Sequence, residues 1–193
     1  TIVKIGDIYK ERGEPVSSME HYEQAMALDE RMAREFPDEV SFWDNLFWSY
    51  QRMGGIAADE GRLEDAWNYF QKMPELTFTL RKLNPNGAST RSAIFQMIRS
   101  FSSLGMAGGN YQQALPFVRQ AAEVSKQGYL ANPNNLEDAS NYCHALGAVS
   151  NWNMTMQDFE GAWEPLVKAM NILDEQLVLE PQNIDLLSLE SQL

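Results

Sequence analysis

Apolar residues follow a helical spacing along the whole chain. In one stretch the large side chains fall three or four positions apart, as in Phe42, Trp43, Leu46, Phe47 and Tyr50. This spacing places them on one face of a helix, and the alternation typical of strands is absent. The pattern predicts helices near residues 2–12, 15–35, 39–54, 62–83, 88–105, 110–131, 136–151, 158–179 and 184–191. The sequence therefore predicts an all-α protein.

Turn formers and small residues recur at a fixed interval. Successive prolines stand 48 residues apart at Pro37, Pro85, Pro133 and Pro181, and the same step links Gly13, Gly61 and Gly109. A chain that repeats itself at such a period is a stacked array. We predict one repeat domain over residues 1–193, with repeats at about 1–39, 40–87, 88–135 and 136–183 and a partial C-terminal helix at 184–193.

Both ends of the sequence suggest a piece of a longer protein. The chain opens on residues that already have a helical pattern, Ile2 to Tyr9. Its last residues, 184–193, resemble the first helix of a fifth repeat without the second. We therefore expect a fragment of a longer polypeptide.

Turn and cap residues set the expected helix ends. We expect Gly61, Gly109 and the segment 151–155 to separate the two helices of a pair. Asn135 and Asn183 precede apolar helical runs and suit N-cap positions, where the side chain accepts a backbone N–H.

Composition and charge narrow the class of partner. The chain has 27 acidic and 15 basic residues and a net charge of −12, which disfavours binding to a phosphate backbone. No stretch approaches the roughly 18 apolar residues of a membrane span. A single cysteine, Cys143, excludes an internal disulfide. We expect a cytoplasmic protein with neither nucleic acid nor membrane as partner.

The candidate chemical groups do not assemble into a catalytic site. Cys143 and the adjacent His144 project about 100° apart on one helix, so the imidazole cannot activate the thiol. Cys143 lies on an apolar stripe, which predicts a buried structural thiol. His21 and His144 belong to different repeats with no further ligand at metal spacing. We expect no enzyme activity, no cofactor and no metal.

Three tryptophans are predicted to lie in the core. Trp43, Trp67 and Trp163 each fall on the packing stripe of a predicted helix. Trp48 differs because its neighbours one turn away, Asp44 and Arg52, are charged. It could anchor a partner, or it could pack against the following repeat.

The first repeat resembles the tetratricopeptide repeat (TPR) family. Residues Ile5-Gly6-Asp7-Ile8-Tyr9 match its Leu-Gly-x-x-Tyr pattern, and Gly13, Ser18, Tyr22, Ala25 and Pro37 follow at the family's positions. The resemblance implies a right-handed α-α superhelix, or solenoid, of antiparallel helix pairs. Similar long repeats occur in bacterial multidomain proteins, so the resemblance also implies a bacterial source.

The repeats are longer than is usual in the family, whose repeat has roughly 34 residues. Extra residues follow the first helices at 54–60, 102–108 and 150–156, where they could extend a helix or form a loop. The glycine pairs Gly54-Gly55 and Gly108-Gly109 favour a partial loop.

The family resemblance also implies a binding surface. In such proteins the first helices line a concave groove that binds a protein or peptide. That face maps onto Asp7, Lys10, Glu11, Asp44, Trp48, Gln51, Arg52, Ser92, Gln96, Arg99, Ser140 and His144. The leading hypothesis is a protein-interaction scaffold for a peptide, a protein or another domain of the parent chain. The alternative is a regulatory or sensor segment of a protease-like or kinase-like enzyme whose catalytic domain lies elsewhere.

Overall fold

The chain is all-α, as the sequence predicts. A computed structural model describes residues 2–85, 87–108 and 111–190, and within these ranges it contains helices and turns but no strand. The helices are α1 (Ile2–Glu11), α2 (Pro15–Glu35), α3 (Val40–Asp59), α4 (Leu63–Phe70), α5 (Met73–Leu83), α6 (Ala88–Gly108), α7 (Tyr111–Ala131), α8 (Leu136–Thr155), α9 (Phe159–Leu179) and α10 (Ile184–Glu190). Short turns join them into antiparallel pairs of TPR-like form. No helix in the described ranges is both long and apolar enough to cross a bilayer.

The chain divides into two compact units, which we describe separately. The N-terminal unit is Thr1–Asn84 and the C-terminal unit is Pro85–Leu193. The division falls beside Pro85, one of the regularly spaced prolines. The grouping of residues 1–193 into a single repeat domain stays a prediction.

In the N-terminal unit each first helix packs closely on the following second helix. A Cβ on Gly6 of α1 would lie 2.6 Å from the ring of Tyr22 on α2. Gly54 of α3 faces Phe70 of α4 in the same way. Because glycine has no side chain, the helix backbone can approach an aromatic ring at both positions. The core beneath these contacts includes the fully buried Phe47.

In the C-terminal unit α8 lies between two second helices. It packs on both α7 and α9. The ring of Tyr142 on α8 lies 5.8 Å from that of Tyr129 on α7. On the other side, the Cys143 thiol lies 3.6 Å from the carbonyl oxygen of Ala169 on α9. Leu186 and Leu189 of α10 complete this cluster, so the C-terminal unit has a continuous apolar core.

The turns inside helix pairs share one backbone geometry. Gly13 and Gly61 have φ angles of 72° and 74°, in the left-handed region that favours glycine. The predicted turn at Gly61 is therefore confirmed, while Gly109 lies outside the described residues. The predicted turn at 151–155 is wrong because α8 continues to Thr155. The left-handed residue there is Gln157, with a φ of 63°.

The extra residues after the first helices are helical. Helices α3, α6 and α8 continue to Asp59, Gly108 and Thr155, so the partial loop favoured by the glycine pairs is wrong for the described residues. Seven residues make nearly two turns, so the insertion keeps the buried face of a helix in register. Gly54 within α3 leaves room for the Phe70 ring, which a side chain at this position would displace.

The predicted helix 62–83 is wrong because it is broken into α4 and α5. A turn at Gln71 and Lys72 separates them, and Pro74 stands in the first turn of α5. Proline lacks an N–H and its ring crowds the carbonyl four residues earlier. Pro116 and Pro165 remain inside α7 and α9, in the second turn, where each removes one backbone N–H donor.

Two predicted helix caps are confirmed. The Asn135 side chain accepts a hydrogen bond from the backbone N–H of Asp138 at 2.9 Å. The Asn183 side chain accepts one from the N–H of Leu186 at 3.2 Å. Both asparagines therefore satisfy a donor that would otherwise be free at a helix start.

The prediction that all three tryptophans are core residues is wrong for Trp163. Trp67 is buried, and Trp43 is half-buried with its indole N–H donating to the carbonyl of Pro37. Trp163 is 68% exposed. It follows the buried Ala162 by about 100° around α9, which turns it away from the contact with α8.

Candidate functional site

A groove in the N-terminal unit is formed by α1, α2 and α3. It encloses about 450 Å³ and is lined by Ile2, Val3, Ala25, Leu28, Asp29, Asn45, Trp48, Ser49 and Arg52. We call it the Trp48 groove. Its walls combine aliphatic side chains with a small number of polar groups, a composition typical of binding sites for peptide side chains or small ligands.

Hydrogen bonds fix the polar side chains of the Trp48 groove. The indole N–H of Trp48 donates to the Asp44 carboxylate at 3.2 Å, and its ring meets Phe47 edge-on with centroids 5.4 Å apart. The Ser49 hydroxyl donates to the carboxylate of Asp29 at 2.6 Å. These contacts hold the half-buried Trp48 ring in place at the groove wall.

Arg52 brings a positive charge to the Trp48 groove and lies over an aromatic ring. Its guanidinium carbon is 5.2 Å from the centroid of Tyr22. The Tyr22 hydroxyl in turn donates to the Asp7 carboxylate at 2.7 Å. Tyr22 therefore contacts both Arg52 of α3 and Asp7 of α1. Cation–π contact orients the guanidinium while leaving its N–H donors able to bind a ligand.

Burial changes the ionisation of both carboxyl groups around Trp48. It raises the pKa of Asp29, against the opposing effects of the Ser49 hydrogen bond and the charge of Arg52. It also raises the pKa of Asp44, while the hydrogen bond from Trp48 acts in the opposite direction. Both carboxylates would therefore gain from a positively charged ligand group that replaces lost solvation.

A second groove lies in the C-terminal unit between α6 and α8. It encloses about 330 Å³, and we call it the Phe95 groove. The imidazole of His144 and the ring of Phe95 meet edge-on at 5.5 Å, and the guanidinium of Arg99 lies 5.9 Å from the Phe95 centroid. Burial lowers the pKa of His144. The lining is formed by Phe95, Ile98, Arg99, Ser102, Met106, His144, Gly147, Ala148, Asn151, Trp152 and Leu189.

The structure brings together some of the predicted site residues. Trp48 and Arg52 line one groove, with Asp44 bound to Trp48, and Arg99 and His144 line the other. Lys10 instead lines a smaller cavity of about 150 Å³ beside Asp59 and Glu60. The other predicted residues line neither groove, namely Asp7, Glu11, Gln51, Ser92, Gln96 and Ser140.

Several groove residues were missed by the sequence analysis. Ala25, Leu28 and Asp29 come from the second helix α2, whereas the prediction took only first-helix faces. Phe95 was not among the predicted site residues, and Trp152 fell in the segment 151–155 that was predicted to be a turn. The spacing of Asp29 on the same face of α2 as Ala25 was a usable signal, since residues four apart lie on one side of a helix.

Within the described residues, no set of three or more His, Cys, Asp or Glu side chains is arranged to hold a metal ion. The Cys143 thiol is buried, and burial raises its pKa to about 12. A thiolate nucleophile is therefore strongly disfavoured at this position.

The all-helical fold of paired helices is TPR-like, and it was compared with known proteins. No family model matches the chain. A stretch of 87 residues is 32% identical to Photosystem I assembly protein Ycf3 of Synechococcus sp. (strain CC9311). The match covers 45% of this chain and 46% of Ycf3, so the chain spans about half the length of this relative. The partial similarity and the all-helical fold are together consistent with a TPR-like repeat.

Proposed function

We propose that this chain is a protein-interaction scaffold whose first-helix face binds a peptide or a protein domain. The observation that carries the proposal is the Trp48 groove, where an indole held by Asp44 borders an aliphatic cavity. Tryptophan and arginine are the residues that most often dominate binding energy at protein interfaces. The similarity to Ycf3, named as an assembly protein, supports a role through protein contacts in general.

The proposed ligand of the Trp48 groove is an extended peptide segment with an apolar side chain beside a basic one. The apolar side chain would enter between Leu28 and Trp48. The basic group would lie near Asp29 and Asp44, whose raised pKa values reflect incomplete solvation. A paired carboxylate in a partly buried site recovers some of the solvation lost on burial.

The repeat organisation is part of the same proposal. We propose that the helix pairs repeat with a period of 48, because the prolines recur at that step and Gly13, Gly61 and Gln157 share one left-handed turn geometry. In this arrangement the first helices carry Trp48 and Arg52, and the second helix α2 completes the groove with Leu28 and Asp29. A cytoplasmic location and the absence of catalysis stay predictions.

A peptide selection tests the proposed function. Random peptides displayed on phage are selected on the immobilised chain, and the affinities of synthetic copies are measured for wild type, Trp48→Ala and Arg52→Glu. We expect Trp48→Ala to weaken binding by more than about 1 kcal/mol and Arg52→Glu to change the salt dependence. Phe78→Ala on α5 is the matched control, since Phe78 is exposed and lines neither groove.

The unfolding free energy of each variant is measured alongside its affinity. This separates loss of binding from loss of structure, because Trp48 also contacts Phe47. The proposal is contradicted if Trp48→Ala lowers stability but the remaining folded protein binds the selected peptides as tightly as wild type. In that case Trp48 has a packing role only.

A further inference from the structure

A recess in the C-terminal unit is formed by α7, α8 and α9. It encloses about 210 Å³, and we call it the Arg119 recess. The apolar part of its lining is Ala122 of α7 with Tyr142, Leu146 and Val149 of α8, and each of these side chains is at most 8% exposed. Pockets that hold a whole small molecule commonly enclose roughly 300–1,000 Å³. The Arg119 recess therefore suits a single side chain inserted by a larger partner.

The Arg119 recess and the Phe95 groove lie on opposite faces of α8. Tyr142, Leu146 and Val149 are four and three positions apart, so they share one face of the helix. His144, which lines the Phe95 groove, follows Tyr142 by two positions, or roughly 200° around the helix. A ligand in the recess would therefore bind a different side of the protein from a ligand in that groove.

Positive charge is concentrated at the recess. The C-terminal unit has five basic residues, and three of them, Arg119, Lys126 and Lys168, line the recess. The other two are Arg91 and Arg99. The whole chain has a net charge of −12, so its average composition does not account for this concentration. The lining therefore favours an anionic group in a chain that is otherwise acidic.

The two carboxylates of the lining are next to the lysines. Glu123 lies 3.4 Å from the Lys126 ammonium in an exposed pair, which contributes little to stability and can open to a ligand. Glu164 stands four positions before Lys168 on α9, a spacing at which opposite charges attract. Among the described residues, Arg119 forms no salt bridge. Arg119 is therefore the cation whose charge is left for a ligand.

A buried amide orients the guanidinium of Arg119. Pro165 lines the recess and has no N–H to donate to the carbonyl of Gly161, four residues earlier. The side-chain N–H of Asn153, a residue only 1% exposed, donates to that carbonyl at 2.7 Å. The Asn153 side-chain oxygen is then free to accept a hydrogen bond from Arg119 at 3.3 Å. The other guanidinium donors can bind a carboxylate through two parallel hydrogen bonds.

We propose that the Arg119 recess binds an acidic segment of a partner protein in which an apolar side chain stands next to an aspartate or glutamate. The apolar side chain would contact Tyr142 and Leu146, and the carboxylate would pair with Arg119. Lys126 and Lys168 would attract further acidic residues of the same segment. This site is separate from the grooves of the proposed function, so either can fail without the other.

The test measures the affinity of the protein for capped peptides that have no terminal charge. The first peptide carries leucine–glutamate pairs separated by glycine–serine spacers. A second has glutamine in place of glutamate, and a third has glycine in place of leucine. Isothermal titration compares wild type with Arg119→Gln and Arg119→Lys, which alter an exposed side chain and leave the core intact. Arg91→Gln is the matched control, because it removes the same charge from the same unit at a residue that does not line the recess.

We expect the leucine–glutamate peptide to bind more tightly than both others, and Arg119→Gln to weaken it on the order of tenfold. Arg119→Lys should recover only part of this loss, because an ammonium lacks the planar fork of a guanidinium. Arg91→Gln and Trp48→Ala should bind this peptide as wild type does.

Equal losses of affinity in Arg119→Gln and Arg91→Gln would overturn the proposal, since net charge alone would then explain binding. Equal binding of the glutamate and glutamine peptides, or no saturable binding of either, would also overturn it. So would sedimentation showing a wild-type dimer that Arg119→Gln converts to monomer, because a second copy would then be the occupant.

Discussion

The ring of Phe70 on α4 occupies the space that a side chain on Gly54 of α3 would need. Among the described residues, the adjacent Gly55 has no neighbouring atom within 4 Å of the position its Cβ would take. Two neighbouring glycines in the same helix therefore have opposite roles. Gly54 permits a close contact between helices, whereas Gly55 only lowers the helix propensity.

This contrast gives a matched pair of substitutions. Gly54→Ala should lower the free energy of unfolding by about 1–3 kcal/mol, because the methyl group forces Phe70 out of a packed position. Gly55→Ala should raise it by about 0.5–1 kcal/mol through helix propensity alone. Urea unfolding of both variants measures the difference. Equal stabilities would show that Phe70 is not packed on Gly54.

The turn residues with left-handed backbone conformation provide a second pair of opposing substitutions. Gln157 has a φ of 63° where the other described turns have Gly13 and Gly61. Gln157→Gly should stabilise the chain by about 0.5–1 kcal/mol, since the side chain is strained in this region. Gly61→Gln should destabilise it by a similar amount, about 1 kcal/mol. Thermal unfolding tests both, and a loss of stability in Gln157→Gly would contradict the turn geometry.

The Cys143 thiol should be protected from labelling in the native protein. Its pKa is raised to about 12 by burial, so almost no thiolate is present at pH 8. We expect an aromatic disulfide reagent to react with Cys143 only as fast as the protein opens, and quickly in urea. Rapid stoichiometric labelling in native buffer would mean that the α8–α9 contact is open.

His144 should make stability depend on pH. Burial lowers its pKa in the folded state below the usual value of about 6.5, so the unfolded chain binds a proton more readily. Above pH about 6.5 the imidazole is neutral in both states and does not lower the free energy of unfolding. As the pH falls from there toward the folded pKa, the unfolded chain takes up the proton first and the free energy of unfolding decreases. Comparing unfolding free energies of wild type and His144→Gln across this range isolates the effect. An identical pH slope in the two proteins would contradict it.

The helix pattern could be predicted from sequence because apolar spacing depends only on local periodicity. The break between α4 and α5 was also signalled, since Pro74 stands in the middle of the predicted helix. The helical conformation at Gly54 could not be predicted locally. The packing role of this glycine depends on Phe70, which lies on a different helix.

The candidate site was predictable only where its residues share one helix. Asp44, Trp48 and Arg52 follow one another at intervals of four, so their proximity follows from helix geometry. The pairing of Asp29 with Ser49 joins α2 to α3 and requires the tertiary packing. The exposure of Trp163 likewise depends on what covers α9, which its own sequence does not specify.

The most direct test of the scaffold proposal is to map a bound peptide on the protein by NMR. A peptide from the phage selection is added to ¹⁵N-labelled protein, and the backbone amide shifts are followed residue by residue. The proposal predicts that the largest changes in the N-terminal unit fall on the groove walls of α1, α2 and α3, around Leu28, Trp48 and Arg52. Changes concentrated on α4 and α5, with α3 unaffected, would contradict binding by the first-helix face.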